Sequence, residues 1–446
     1  MHVVIIGNGI SGITAARWIR KLSKHRITVI SSESDYFFSR TALMYIYMGH
    51  MTLKDIQPYE DHFWTKNRID LKRAHVEDIH FSDKRLQFSS GEELEFDKLI
   101  LALGSKPNKF GWPGQALDGV RGLYSLQDLE YMENHSSDLK RAVIVGGGLI
   151  GVEMAEMFHS RHIPVSILVR ENDYWDNVLP SEEASMVSRH IGNHGIDLRL
   201  SSNLDEILPD DNGRVRAVRV KESQEIIECG YVGLTAGVSP NVDFLKDSEL
   251  EIDRGILVDN NLKTNLDSVF AIGDCAQLRS PSPGRGSIEA IWYTGRMMGE
   301  VAAYNICGKE ISYDPGFWFN SAKFFDLEYQ VYGSVPPGLE EGMDSFYWED
   351  RALEKALRIV FNPETEAVIG FNLLGIRFRQ EVCAKWLREK ASLEDVMRNI
   401  HLALFDPEFS PAFTVQLIKA YNDRFQRKLS PGLKPVYDRV FNFLKS

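Results

Sequence analysis

The sequence contains few cysteines, and none of them lies close to another. The four cysteines, Cys229, Cys275, Cys307 and Cys383, form no CxxC or similar pair, which excludes a local dithiol and a zinc knuckle. Isolated cysteines are typical of a protein from a reducing compartment. The sequence therefore predicts no metal site.

Long apolar runs and an excess of positive charge are absent as well. No apolar run approaches the roughly 20 residues that a membrane-spanning helix needs. The net charge of −12 argues against nucleic acid or an anionic membrane surface as the main partner. The chain starts directly in a strand-like segment, which leaves no room for a signal peptide. We therefore predict a cytoplasmic protein, and its 446 residues suggest two or three domains.

Glycine is concentrated in two turns that share one pattern, and each turn follows a strand-like apolar run and opens a predicted helix. The first glycine turn is Gly7, Asn8, Gly9, Ile10, Ser11 and Gly12, and the second glycine turn is Gly146, Gly147, Gly148, Leu149, Ile150 and Gly151. In such a turn the first glycine permits the sharp bend, the second lets the backbone approach a pyrophosphate, and the third lets the helix pack on the strand. The N-terminus of the helix then faces the anion. Two such turns predict two bound dinucleotides.

A carboxylate follows the first glycine turn at the spacing that a ribose contact requires. A second strand-like run over residues 27–30 leads into Ser31, Ser32 and Glu33. Glu33 therefore arrives about 20 residues after the last glycine, where a ribose diol needs an acceptor. We favour this contact over the alternative of a solvated loop charge.

A third motif lies far downstream, where a strand-like run over residues 269–272 ends in Gly273 and Asp274. It presents a backbone amide and a carboxylate at the carboxyl end of a strand, where open α/β sheets bind ligands. Together with the two glycine turns, the sequence TNLDSVFAIGDCA over residues 264–276 resembles the pyridine nucleotide-disulfide oxidoreductase superfamily. These flavoproteins, which bind two dinucleotides, include ferredoxin, rubredoxin and nitrite reductases, NADH oxidases, coenzyme A-disulfide reductases and glutathione reductase.

The resemblance implies an α/β fold with two Rossmann-like dinucleotide-binding domains, as in glutathione reductase, and an α+β C-terminal interface domain. Residues 99–107, with Ala102 and Gly104, resemble the segment where the family's chain leaves the flavin domain, and residues 233–241, with Gly237, resemble the segment where it returns. The domains implied are residues 1–110 with 237–310 for FAD, 111–236 for NAD(P)H, and 311–446 for the dimer interface.

The resemblance extends less clearly to the last third of the chain. Residues 401–411, rich in aromatic residues and proline, are similar to the tail that crosses to the partner subunit in the NADH oxidase and coenzyme A-disulfide reductase branch. A homodimer is implied. Residues 412–446 extend past the usual end of the family and are expected to be helical, without an assigned role.

By resemblance, the first glycine turn holds the pyrophosphate of FAD and Glu33 binds the adenosine ribose. Arg40 matches the arginine of the family's YxRP turn, which contacts the pyrophosphate, and a bidentate guanidinium suits two phosphates. Asp274 is expected to accept the ribityl hydroxyl. Trp292 either stacks near the flavin ring or is a buried core tryptophan. The predicted FAD site is completed by Ala102, Gly104 and Gly273.

The second glycine turn is expected to hold the nicotinamide nucleotide, with Gly237 nearby. Glu153 matches a family glutamate near the nicotinamide carboxamide, and it also suits an acid that stabilises the helix dipole. Arg170 suits the extra phosphate of NADPH, whereas Glu171 suits the ribose of NADH. The coenzyme preference stays open, with a lean to NADH.

Residues 39–45 carry no cysteine. Relatives that reduce disulfides or peroxide place a redox-active sulfur here, because the thiolate must lie against the flavin. The lysine that ferredoxin-reductase-like relatives place near Tyr45 is missing too. The flavin itself therefore carries the redox chemistry, and no catalytic side chain is assigned.

These features predict an FAD-dependent NAD(P)H oxidoreductase that passes electrons to a small redox protein or a quinone-like molecule. Two alternatives stay open. One is an NAD(P)H oxidase that delivers electrons to dioxygen without a cysteine. The other is a flavin-based redox sensor or binding protein with little turnover.

Overall fold

The computed structural model describes residues 1–406 and 413–430. They divide into two compact units. The first unit comprises Met1–Arg170 and Ile196–Pro315, and the second comprises Glu171–Gly195 and the described residues from Gly316 onward. This division does not resolve the three domains implied by the sequence, which stay a prediction.

The first unit contains a parallel sheet that carries the first glycine turn. Its five strands lie in the order Val269–Ala271, Lys98–Leu101, His2–Ile6, Arg26–Ser31 and Asp70–Arg73. The central strand is buried on both faces, which explains why it reads as an uninterrupted apolar run. Helix Ile10–Leu22 follows this strand and packs against helix Trp292–Ile306. The chain thus turns from the central strand directly into a helix, as the glycine pattern predicts.

A second parallel sheet repeats this plan around the second glycine turn. Its strands lie in the order Asp197–Arg199, Val165–Leu168, Ala142–Val145 and Tyr231–Leu234. Helix Leu149–Ser160 follows the strand Ala142–Val145. Helix Leu126–Asn134 begins at a capping box. The backbone N–H of Asp128 donates to the Ser125 hydroxyl, and the backbone N–H of Ser125 donates to the Asp128 carboxylate, so each side chain satisfies the other residue's N–H group.

Shorter elements complete the first unit. Strands Ser105–Pro107 and Val238–Pro240 pair antiparallel, which brings the predicted exit and return segments side by side. The remaining strands are Val76–His80, Arg85–Phe88, Glu93–Glu95, Leu204–Pro209, Val215–Val220, Ile226–Glu228, Ile256–Val258 and Ala276–Leu278. The remaining helices and 3-10 turns are Arg40–Ala42, Leu43–Tyr47, Asp61–Lys66, Asp243–Leu245 and Gly273–Cys275.

The second unit is built on one antiparallel sheet. Its strands lie in the order Phe319–Phe324, Leu327–Gly333, Val368–Leu374, Lys355–Phe361 and Asp344–Asp350. Helix Ser181–Asn193 joins this unit through a buried ion pair, in which Arg358 Nε donates to Glu183 Oε1 at 2.7 Å. The other helices and the 3-10 turn are Gln380–Arg388, Leu393–Asn399, Ile400–Leu402 and Thr414–Phe425.

Two sequence expectations fall partly outside the described residues. Residues 407–412 of the predicted crossing tail and residues 431–446 of the predicted helical extension are among those not described. Helix Thr414–Phe425 agrees with the expectation of helix after residue 412. Within residues 1–406 and 413–430, no helix is long and apolar enough to span a membrane.

Candidate functional site

The first glycine turn is tightly packed on one side and open on the other. Gly7 has a φ of 112°, and a β-carbon on it would lie 2.0 Å from the carbonyl oxygen of Ala102. A β-carbon on Gly12 would lie 2.0 Å from the carbonyl oxygen of Gly7. At Gly9, by contrast, a β-carbon would meet nothing within 4 Å. The turn is therefore open at the position where its backbone is predicted to approach a pyrophosphate.

The second glycine turn repeats this division. Gly146 has a φ of 123°, and a β-carbon on it would lie 2.6 Å from the carbonyl oxygen of Thr235. A β-carbon on Gly147 would lie 2.9 Å from Cγ1 of Val169, whereas one on Gly148 would meet nothing within 4 Å. Both turns are therefore open at the second glycine of the GxGxxG pattern, which is Gly9 in the first turn and Gly148 in the second.

Both helices that follow these turns begin without a capping side chain. Gly9 and Gly148 are the N-cap residues, and no side chain caps either helix. The N-terminus of a helix carries partial positive charge and outward-facing N–H groups, which attract an anion. Neither first turn contains an acidic residue that would repel one. The two turns thus fit the pyrophosphates of two dinucleotides.

Glu153 lies beyond the first turn of helix Leu149–Ser160 and is partly exposed. A dipole role requires a position within the first turn, since the effect falls off beyond it. The structure thus favours the nicotinamide contact for Glu153, which stays a prediction.

Asp274 lies beside the first glycine turn. The strand Val269–Ala271 leads into the 3-10 turn Gly273–Cys275, and a β-carbon on Gly273 would lie 2.7 Å from the hydroxyl of Ser11. The hydroxyl of Ser105 donates to Asp274 Oδ2 at 3.0 Å. Asp274 keeps some exposure, but the protein atoms around its carboxyl group desolvate it and raise its pKa.

Glu33 and Arg40, for which the sequence predicts contacts with different parts of FAD, form an ion pair with each other. Arg40 Nη1 donates to Glu33 Oε1 at 2.9 Å, and Arg40 Nη2 donates to Glu33 Oε2. The backbone N–H of Leu126 also donates to Glu33 Oε1, at 2.9 Å. Burial disfavours the charge of Arg40, but the hydrogen bonds and the attraction of Glu33 outweigh it and raise the pKa of Arg40. A carboxylate accepts about four hydrogen bonds and a guanidinium donates five, so both groups have capacity left for a ligand.

Tyr124 is a residue of this region that the sequence analysis missed. Its hydroxyl accepts a hydrogen bond from the backbone N–H of Ser105 at 2.7 Å, and burial raises the pKa of Tyr124 to about 12. The guanidinium of Arg40 donates to the backbone carbonyl of Tyr124. Its Cζ atom also lies 4.6 Å from the centre of the Tyr124 ring. A β-carbon on Gly104 would lie 2.9 Å from the Tyr124 hydroxyl. No local motif marks Tyr124, because its contacts are made with distant parts of the chain.

Trp292 is the first residue of helix Trp292–Ile306 and is partly exposed. It is therefore not a buried core tryptophan, and stacking near a flavin ring stays a prediction. The helix approaches the first glycine turn through small residues: a β-carbon on Gly299 would lie 2.4 Å from the carbonyl oxygen of Ser11.

Arg170 and Gly237 follow segments that contact the second glycine turn, since a β-carbon on Gly147 would meet Val169 and one on Gly146 would meet Thr235. Arg170 is exposed and follows the strand Val165–Leu168 after one residue. Gly237 has a φ of 91°, and its carbonyl accepts from the backbone N–H of Asn108 at 3.0 Å. Glu171 is partly exposed and begins the second unit.

All four cysteines are free thiols. Burial raises the pKa of Cys229 and of Cys275 to about 12, and it also raises the pKa of Cys307 and of Cys383. Cys275, directly after Asp274, donates its S–H to the Leu101 carbonyl at 3.4 Å. Neutral thiols are poor nucleophiles and poor redox partners, which argues against a role for these cysteines in place of the missing sulfur of residues 39–45.

A family model described as pyridine nucleotide-disulphide oxidoreductase matches residues 1–299, which is more than half of the chain. The chain belongs to this family. Its α/β fold with two dinucleotide-binding regions agrees with the sequence analysis. FAD with NADH or NADPH as its cofactors agrees with it as well. The chain is thus an NAD(P)H-dependent flavin oxidoreductase.

Individual relatives cover most of this oxidoreductase. It is similar to the NADH-rubredoxin oxidoreductase of Clostridium acetobutylicum, with 29% identity over 401 residues, 89% of this chain and 99% of that protein. It is similar to the NADH oxidase of Methanocaldococcus jannaschii, with 28% identity over 341 residues, 74% of this chain and 75% of that protein. The structure of an NAD-dependent persulfide reductase from A. fulgidus has a TM-score of 0.82 at 23% identity, covering 95% of this chain and 84% of that chain, which supports the fold.

Proposed function

We propose that this oxidoreductase transfers electrons from NAD(P)H, through FAD, to a small redox protein or a quinone-like molecule. The observation that carries the proposal is the absence of a reactive sulfur. Residues 39–45 contain no cysteine, and burial raises the pKa of all four thiols. When bound, FAD can accept a hydride and release electrons without a protein redox group.

The side chains of this chain have binding and orienting roles in the proposal. The uncapped helix after Gly9 binds the FAD pyrophosphate, because the N-terminus of a helix attracts an anion, and Arg40 lies beside it. Glu33 binds the adenosine ribose, and Asp274 accepts the ribityl hydroxyl. The uncapped helix after Gly148 binds the nicotinamide nucleotide, and Glu153 orients its carboxamide. NADH is the proposed preferred coenzyme.

The named relatives support two kinds of acceptor. The similarity to the NADH-rubredoxin oxidoreductase of C. acetobutylicum favours a small redox protein of the rubredoxin or ferredoxin type. The similarity to the NADH oxidase of M. jannaschii supports dioxygen as a second candidate acceptor. The relative that covers more of both chains carries the rubredoxin name, so the redox protein is proposed first.

Anaerobic stopped-flow reduction by NADH and by NADPH, followed by mixing with rubredoxin, a ferredoxin, a quinone or dioxygen, tests the proposal. We expect turnover with a redox protein or a quinone at least about tenfold faster than with dioxygen. Faster turnover with dioxygen would identify an oxidase, and a single reduction followed by slow reoxidation with every acceptor would identify a sensor.

Gly148→Val provides the matched control for this experiment. A side chain at the open position of the second glycine turn should block reduction by NAD(P)H. Reduction by dithionite and electron delivery to the acceptor should stay unchanged, because the first glycine turn is intact. If Gly148→Val also slows electron delivery from the dithionite-reduced protein, the assignment of the second turn to the nicotinamide nucleotide is wrong.

We further propose that the protein is a cytoplasmic homodimer in which residues 401–413 cross to the partner. The resemblance of this segment to the oxidase and coenzyme A-disulfide reductase branch supports the crossing. The alternative is that the segment stays on its own subunit, and it is supported by Leu404, which bridges Phe378, and by Phe413, which stacks on Trp348 of the same chain. Light scattering of the full-length protein should show a dimer at micromolar concentration, and a chain truncated after residue 400 should be a monomer that keeps FAD. A monomeric full-length protein contradicts both the dimer and the crossing tail.

A further inference from the structure

Two histidines and a carboxylate meet in the second unit. His190 lies in the last turn of helix Ser181–Asn193, and His194 is the C-cap residue one turn later. The Nε2 atoms of His190 and His194 lie 2.9 Å and 3.1 Å from the same oxygen, Oδ1 of Asp326. Asp326 lies in the turn between strands Phe319–Phe324 and Leu327–Gly333. The three potential ligand atoms all lie within 4.8 Å of one another.

The other ring nitrogen of each histidine also faces an oxygen. His190 Nδ1 lies 3.1 Å from Glu354 Oε1, and His194 Nδ1 lies 3.0 Å from the carbonyl oxygen of His190. The ring of His194 also stacks on Phe325, with 4.5 Å between the ring centres. These contacts hold both imidazoles with Nε2 directed at Asp326.

The two imidazoles bring their Nε2 atoms to one carboxylate oxygen. A neutral imidazole has one N–H group and one lone pair, so an imidazole whose Nδ1–H donates to an oxygen turns the lone pair of Nε2 toward Asp326. Both Nδ1 atoms lie within hydrogen-bond distance of an oxygen. Two such lone pairs and a carboxylate oxygen that face one another form a set of ligands for a cation.

We propose that His190, His194 and Asp326 bind a zinc ion through these three atoms, and that Glu354 is a positioning residue for His190. Two imidazole nitrogens and one carboxylate suit Zn²⁺, whereas Mg²⁺ and Ca²⁺ prefer sites made of oxygen ligands. A carboxylate that accepts from the second nitrogen of a histidine ligand is a recurrent feature of zinc sites.

The two distances to Asp326 require only a small adjustment, and the ligand atoms of the two histidines lie within 4.8 Å of each other. Metal–ligand bonds of about 2.1 Å in a tetrahedron separate the ligand atoms by about 3.4 Å, so the contacts of 2.9 Å and 3.1 Å would lengthen by a few tenths of an ångström. The side chain of Asp326 is 79% exposed and that of His190 only 4%. The site is therefore anchored on one side and open to a water ligand on the other. Zinc would tie helix Ser181–Asn193 to the turn at Asp326 within the second unit.

Titration of the full-length, FAD-containing protein with Zn²⁺ after removal of metal by a chelator tests the proposal. Calorimetry should show one ion per chain, and Co²⁺ at the same site should give the visible absorption of a four-coordinate ion. Asp326→Asn and His194→Gln should each weaken the affinity for Zn²⁺ at least about tenfold, and Glu354→Gln by about 10- to 100-fold. The ratio of FAD to protein confirms that each variant is folded.

His62→Gln is the matched control, because His62 forms an exposed pair with Glu60 at 3.1 Å and lies outside the proposed site. This variant should bind Zn²⁺ like the wild type. The proposal is overturned if the wild type binds no Zn²⁺ at micromolar concentration. It is equally overturned if Asp326→Asn and His194→Gln bind Zn²⁺ as tightly as His62→Gln does.

Discussion

The two glycine turns share a backbone plan but differ in the charged groups around them. Gly7 and Gly146 both have positive φ and approach a neighbouring carbonyl, and both turns are open at the second motif glycine. Beside the first turn, Asp274 is desolvated by the surrounding protein and Arg40 is paired with Glu33. At the second, Arg170 is exposed.

This difference suits the different roles of the two nucleotides. Charged groups that the protein already holds in place lose little freedom when a ligand binds, which favours tight retention. Arg170 is exposed, so a nucleotide can reach it directly from solvent, which suits a nucleotide that binds and leaves in every turnover. We therefore expect the same backbone plan to serve a resident cofactor in one region and an exchanging coenzyme in the other.

The largest effect is expected when a side chain is introduced on the packed side of the first turn. Gly7→Ala places a β-carbon 2.0 Å from a carbonyl oxygen at a φ of 112°, and strain of this kind costs at least about 1–3 kcal/mol before the overlap is counted. We expect this variant to lose more than about 3 kcal/mol of unfolding free energy, measured by urea denaturation of the FAD-free protein.

Gly9→Ala is the matched control for this prediction. Its β-carbon meets nothing within 4 Å, so the unfolding free energy should fall by less than about 1 kcal/mol. The ratio of bound FAD to protein should nevertheless drop, because the open side of the turn faces the cofactor. Equal losses of stability in the two variants would show that the turn is not divided into a packed and an open side.

The preference between NADH and NADPH tests which charged residue near the second turn contacts the coenzyme. If Arg170 meets the extra phosphate of NADPH, Arg170→Ala should weaken NADPH selectively by about 1.5–3 kcal/mol, the scale of a hydrogen bond to a charged group. If Glu171 binds the ribose of NADH, Glu171→Ala should weaken NADH more. Steady-state KM values for both coenzymes measure this. Equal small changes in the KM values for NADH and NADPH would mean that neither residue contacts the ribose or its phosphate.

Asp274→Asn should weaken the binding of FAD but raise the Tm of the FAD-free protein relative to the wild type as the pH rises. The charged acceptor becomes neutral, so FAD should bind about tenfold more weakly, or ~1.4 kcal/mol. The pKa of Asp274 is raised in the folded state, so its contribution to stability is fully present below the unfolded pKa and is lost as pH rises through the folded pKa. Asparagine does not titrate, and the variant without FAD should therefore gain in Tm relative to the wild type as the pH rises above about 3.9, the pKa of an unperturbed aspartate.

Asp267→Asn provides the comparison for this measurement, since Asp267 is exposed in the loop before strand Val269–Ala271. It should change neither the affinity for FAD nor the pH dependence of Tm. A Tm difference between Asp274→Asn and the wild type that does not vary with pH would contradict the raised pKa.

The sequence predicts those parts of the site in which a particular backbone conformation requires a particular residue type at a fixed position of a short motif. Gly7 and Gly146 lie where only glycine avoids a clash, and Gly273 and Asp274 follow a strand after one residue. Such constraints act over a few residues, so they are visible as motifs. The helix after each turn, and with it the α/β fold, follows from the same local pattern.

Contacts across long separations were not predictable in this way. Glu33 accepts from the backbone of Leu126, 93 residues away, and Tyr124 supports Arg40 from a segment without a motif. His190 and His194 have helical spacing, but their shared partner Asp326 follows 136 residues after His190. Each of these contacts depends on how distant segments pack together, and no local pattern of residue types records it.

The smallest expected effect is on the number of electrons that the protein takes up. Because burial raises the pKa of Cys275 to about 12, its thiol is neutral at pH 7, although this cysteine directly follows Asp274. Dithionite titration should therefore consume one two-electron equivalent per FAD, with no long-wavelength band from charge transfer between a thiolate and the flavin. Cys275→Ala, and the corresponding variants of Cys229, Cys307 and Cys383, should give the same titration as the wild type. A second equivalent that disappears in any one of these variants would place a redox-active sulfur between the two nucleotides and remove the main argument for direct electron transfer from the flavin to an external acceptor.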